Sequence, residues 1–97
     1  MINYNFEWDL NKARSNQEKH EVSFEEAATV FKDSRALSIF DDEHSADEDR
    51  WATIGISNSG RQLIVCHTFQ KNDEENISIR IFSGRKATKR ESKQYKE

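Results

Sequence analysis

Proline is absent and glycine is scarce, three residues in 97, so no Pro-rich or Gly/Ser-rich linker divides the chain. No internal repeat is visible, and a length of 97 residues fits a single domain spanning 1–97. Cys66 is the lone cysteine, which excludes an intramolecular disulfide and fits a reducing compartment. No apolar run approaches the ~20 residues that a membrane span needs, and the opening MINYNFEWDLNKAR has no apolar signal core. A cytoplasmic protein without membrane contact is therefore expected. Apolar residues are also few, 34% of the chain, so its core must be small and tightly used.

What the chain does have is charge, unevenly placed. Fifteen Lys and Arg stand against 18 Asp and Glu, a net charge of −3. Yet residues 85–97 (RKATKRESKQYKE) hold Arg85, Lys86, Lys89, Arg90, Lys93 and Lys96 against only Glu91 and Glu97. That local +4 leaves −7 on residues 1–84. Since the bulk charge cannot attract phosphates, a polyanion site on one face is implied.

The periodicity predicts two helices, four strands and a last helix, an α+β arrangement. Asp9 is placed to N-cap a helix over about residues 10–19. Ser23 with Glu26 forms a capping-box pattern for a second, about 24–32, with Phe24, Ala27, Ala28 and Phe31 on one face. Beyond it, residues 36–40, 51–57, 62–69 and 77–82 are short, rich in β-formers and separated by polar turns, Asn58-Ser59-Gly60 being a tight hairpin. Short loops favour a four-stranded antiparallel meander. From Ser83-Gly84 onward the pattern predicts a basic helix.

The last strand alternates strictly. Ile77, Ile79 and Ile81 share the face toward the core, and Arg80 projects from the other. For the preceding strand, Leu63/Val65/His67 and Ile64/Cys66/Thr68 are both partly apolar, so parity leaves the face of His67 open. A surface gathering arginines and a histidine suits metal-free RNA cleavage. The 2′-hydroxyl is the nucleophile, so the protein must supply cations around the phosphorane and a group that moves protons. Arginine offers planar paired donors to phosphate, and histidine titrates near neutrality.

Several ordered motifs carry a family resemblance: FEWD (6–9), NKARSNQEKH (11–20), VSFEEAATVF (22–31), DEHSADEDRW (42–51), IGISNSGR (54–61) and IRIFSGRKATKRE (79–91). With these the chain resembles the BrnT toxins of bacterial toxin–antitoxin pairs, from about Phe6 to Tyr95. The resemblance implies a RelE-like fold, with two N-terminal helices, a four-stranded antiparallel sheet and a C-terminal helix. It implies RNA cleavage that arrests growth, a BrnA-like ribbon-helix-helix antitoxin, and DNA contact only through the complex. The family's basic pattern falls on Lys19-His20, Arg50, Arg61, Arg80 and Arg85. Where the family has Gly after Lys-His, this chain has Glu21. The third strand ends Thr68-Phe69-Gln70 in place of an Arg soon after the Thr, and Ser-Ala-Arg reads Ser83-Gly84-Arg85.

The expected roles follow. Arg80, Arg85 and Arg61 hold the scissile phosphate, and His67 or His20 transfers protons. Lys19, Arg50, Lys86, Lys89 and Arg90 bind the RNA, and the products carry a cyclic or 3′-phosphate. No cofactor or metal is expected. The acidic loop around His44 lacks the Gly and terminal Glu of a calcium loop, and the histidines lack zinc-like spacing. In that loop Glu48 is expected to pair with Arg50 or a neighbouring basic residue. A different class, a non-catalytic module that docks the antitoxin or nucleic acid, fits the same basic face. Trp8 and Trp51 are candidates either for the core or for a partner-binding strip.

Overall fold

The computed structural model describes residues 2–96, with side chains through Tyr95. Glu97 and the Lys96 side chain, both counted in the basic segment, lie outside the described residues. The chain runs β1 (Asn3–Glu7), α1 (Leu10–His20), α2 (Phe24–Thr29) with a 3-10 turn (Val30–Lys32), β2 (Leu37–Phe40), a 3-10 turn (Asp42–His44), β3 (Arg50–Ile56), β4 (Gln62–Thr68), β5 (Gln70–Lys71), β6 (Asn76–Lys86) and α3 (Lys89–Lys96).

The α+β class stands, but the sheet is mixed and six-stranded. Its order is β1-β6-β4-β3-β2, with β5 also on β6. The four expected antiparallel strands are joined by β1, which pairs in parallel with β6 (Tyr4↔Ile77, Phe6↔Ile79). NYNFE gives little local signal, because its strand character depends on a partner some seventy residues away. There Tyr4 and Phe6 meet Phe31, with ring centroids 6.2 and 5.5 Å apart.

Residues 83–86, expected to open the last helix, stay extended within β6. Gly84 pairs with Val65, and the Asn16 side chain holds both its backbone groups, accepting from its N–H at 3.1 Å and donating to its carbonyl at 2.8 Å. The helix waits for Thr88. The Thr88 N–H donates to Glu91 (2.9 Å) and the Glu91 N–H to the Thr88 hydroxyl (3.2 Å), a reciprocal capping box. Arg85 and Lys86 are thus strand residues. By contrast the Ser23 box is half-formed: Ser23 accepts from the Glu26 N–H at 3.0 Å, while the Glu26 carboxylate turns to Arg61, Ser57 and Ser59.

Asp9 does cap α1, its carboxylate accepting from the Lys12 N–H at 2.9 Å. The core lies between α2 and one sheet face: Val22, Phe24, Ala27, Val30, Leu63, Val65, Ile77, Ile79 and Ile81 are buried together. Trp8 packs edge-on to Phe24 at the margin of that core, and Trp51 edge-on to Phe40. On the opposite face α3 crosses the sheet, and the Tyr95 hydroxyl donates to Asp33 at 2.6 Å. No helix among the described residues is long and apolar enough to cross a membrane.

Candidate active site

A bulge makes the site. The β4–β6 register shifts between Cys66 and His67, so Cys66 pairs with Ser83, His67 with Ile81, and Phe82 has no opposite residue. Phe82 is turned toward α1, and three cations surround its ring. Arg50 Cζ lies 4.3 Å, Arg80 Cζ 5.0 Å and Lys12 Nζ 5.2 Å from the centroid, all within cation–π range. They come from β3, β6 and α1, so only the assembled fold gathers them.

Two clefts meet at this ring, sharing Lys12 and Phe82. One, about 390 Å³, runs along α1 past Asn11, Ser15, Asn16 and Ser83 to Lys19 and His20. The other, about 300 Å³, continues past Arg50 and Arg80 to Glu48 and Asp9. Together they form a groove with more basic than acidic side chains in a protein of net charge −3.

Within it Arg80 Nη2 lies 2.6 Å from both Glu48 oxygens, and Arg50 Nη2 3.7 Å from one of them. The expected pairing of Glu48 with Arg50 is therefore shared, with Arg80 the closer partner. A carboxylate on a guanidinium occupies the geometry that a phosphate would take. Arg50 Nε is buried without a hydrogen-bond partner, a donor unfilled beside an anion site.

Of the residues singled out in the sequence, the groove gathers Arg80, Arg50, Lys19 and His20. Others lie elsewhere. His67 is completely buried on the core face, opposite Arg80, edge-on to Phe31 at 4.8 Å. Its Nδ1 donates to the Thr68 carbonyl at 2.8 Å, so in the neutral ring Nε2 accepts from the Thr53 hydroxyl at 2.6 Å. Ser38 completes that chain, 2.7 Å from Thr53. Burial pushes the His67 pKa down.

Arg61 is committed to α2. Its Nε donates to Glu26 at 3.0 Å and its Nη2 to the Glu21 carbonyl at 3.0 Å and to Glu26. That pairing holds the Glu26 carboxyl down at about 2. Arg85 forks onto Glu91 with two 2.8 Å bonds, holding Glu91 at about 2 as well. It lines a separate cleft with Ile39, Ile64 and Cys66. Lys86, Lys89 and Arg90 are exposed and line none of the groove.

Lys12, Phe82 and Glu48 complete the groove, and the sequence reading gave the first two no role. Lys12 sits two turns before Lys19 on α1, a helical spacing that brings both to one face. Alternation along the last strand sets Phe82 on the Arg80 face, but the bulge that leaves it without an opposite residue is not written there.

A small α+β protein with a cationic groove suits an anionic polymer. The family comparison agrees: residues 8–91 match the model described as "Ribonuclease toxin, BrnT, of type II toxin-antitoxin system", and the chain belongs to this family. It is thus a ribonuclease toxin whose system includes an antitoxin. A solved structure, the Brucella abortus ribonuclease toxin BrnT, shares the fold with a TM-score of 0.58 at 23% identity, over 92% of this chain and 100% of that one. No curated protein matches significantly.

Proposed function

We propose that the Lys12–Phe82–Arg80 groove is where this toxin cleaves RNA, and that it does so without a metal ion. The observation that carries this is the set of three cations on one ring, with a carboxylate already in a phosphate's position. Arg80 and Arg50 would grip the non-bridging oxygens of the scissile phosphate and stabilise the charge it gains. Lys12 and Lys19 would neutralise flanking phosphates. Phe82, partly exposed in the middle of the groove, would make an apolar contact with a base or sugar that tolerates any sequence. His20, half-buried at the end of α1, lines the far end of the groove and would contact a flanking nucleotide there. Attack by the 2′-hydroxyl would leave a 2′,3′-cyclic phosphate, opened to a 3′-phosphate by water.

His67 falls outside this proposal because burial and two hydrogen bonds occupy it. Arg61 and Arg85 become structural: each is locked to a carboxylate of its own. The layout, sheet plus helices with a final helix, supports kinship with RelE-type ribonucleases, and the toxin would act as one domain in the cytoplasm. The partner we propose is a BrnA-like ribbon-helix-helix antitoxin, with DNA contacted only through the complex.

The discriminating experiment compares two variants on labelled RNA. Arg80→Ala should lower cleavage by about 10²–10³-fold with its melting temperature little changed. Arg61→Ala should melt earlier, with the folded fraction still cutting at the parental rate. Full cleavage by a folded Arg80→Ala protein would falsify the groove assignment.

A further inference from the structure

Among the described residues, Glu48 is the one carboxylate within 4 Å of both Arg50 and Arg80. Its place is built. Ser45 staples the base of the loop, its hydroxyl donating to the Asp41 carbonyl at 2.5 Å and accepting from the Arg50 N–H at 3.0 Å. Residues 46–49 lead from there into β3 and set Glu48 against the arginines. Cleavage through the 2′-hydroxyl needs a proton acceptor at the phosphate itself, within one hydrogen bond of the attacking oxygen. His20 lies at the other end of the groove, lining only the cleft along α1, and His67 is sealed in the core.

Taking the groove as the RNA site, we infer that Glu48 is the general base of this ribonuclease. In the free protein it is the resting counter-ion of Arg80. A substrate phosphate displaces it from Arg80 Nη2 and leaves the carboxylate against the 2′-hydroxyl, still near Arg50. The carboxylate then takes the 2′-hydroxyl proton as the O2′–P bond forms. The P–O5′ bond breaks, and O5′ takes a proton from water. One proton enters Glu48 and one leaves with the 5′-hydroxyl, so the step needs no oxidant, reductant or metal.

Glu48 is partly exposed, with 38% of its side chain accessible, so its substitution should leave the fold intact. The test uses the full chain, a labelled mixed-sequence RNA and its all-2′-deoxy counterpart as a binding probe that cannot be cut. Glu48→Gln should lower the cleavage rate about 10²–10⁴-fold while binding the deoxy probe as tightly as the parent or more so. Glu48→Ala should show the same loss, with cleavage recovering in proportion to added formate, a small carboxylate that fits the vacated place. Cleavage by Glu48→Gln at the parental rate or faster would make Glu48 a mere counter-ion and overturn the inference. So would loss of cleavage in Glu48→Ala that formate does not restore. A parent protein that cuts no RNA would instead remove the groove reading beneath it.

Discussion

At the scale of single residues, Glu21 shows a local cost. It closes α1 with φ 58° and ψ 35°, the one non-glycine residue with positive φ among those described, and its N–H donates to the Gln17 carbonyl at 2.9 Å. A side chain there strains against its own backbone, whereas glycine takes this conformation freely. Glu21→Gly should therefore raise stability by about 1 kcal/mol, read as a higher denaturant midpoint with unchanged slope. The Arg61–Glu21 carbonyl bond is a backbone contact and should survive it. Arg61 makes the converse case. Arg61→Ala should lower the melting temperature, because Glu26 loses its cation while keeping only the Ser57 and Ser59 hydroxyls. The sequence named Arg61 as cationic but could not say what it faces. Its partner is 35 residues away, on the helix whose own capping pattern assigns that carboxylate to Ser23.

Among the elements, α1 and β6 decide whether the groove exists. Asn16 is the pin: it is buried and donates to the Val22 and Gly84 carbonyls, both at 2.8 Å, while accepting from the Gly84 N–H. Asn16→Ala should cost about 1–3 kcal/mol through the backbone groups it strands. It should also lower cleavage in the surviving folded molecules, because Lys12 loses its fixed distance from Phe82. A stopped assay at a temperature where the variant is fully folded separates the two effects. The strands Leu37–Phe40, Arg50–Ile56 and Gln62–Thr68 and the cap at Asp9 were legible, since alternation and capping are local. The start of α3 was legible too, in Thr88-x-x-Glu91, yet the glycine at 84 drew the boundary forward. What could not be read was the bulge that frees Phe82 and the parallel strand Asn3–Glu7. Both arise from pairing between distant segments. Half of the site therefore stood in the sequence as a pool of basic residues without an address.

For the molecule as a whole, acid should be the main enemy of stability. Arg61 holds Glu26, and Arg85 holds Glu91, at about 2 against an ordinary value of 4.5. Burial lowers the His67 pKa from 6.5. All three are depressed on folding, so the unfolded chain takes up protons first and stability falls as pH falls. The loss should begin below about pH 6.5 with His67 and steepen between about 4.5 and 2 as the carboxylates protonate. Melting temperature against pH checks this, and a His67→Gln variant should lack the upper portion of the slope whatever its own stability. Charge also acts globally: a net charge of −3 gives no general attraction for RNA, so binding should be confined to basic patches and salt-sensitive. The central claim is that this groove cuts RNA unaided by metal. The most direct measurement incubates the purified chain with labelled RNA in excess EDTA and resolves the product ends. The account predicts undiminished cleavage, with cyclic or 3′-phosphate ends and 5′-hydroxyls. Cleavage that stops in EDTA and returns with added divalent ion would contradict it.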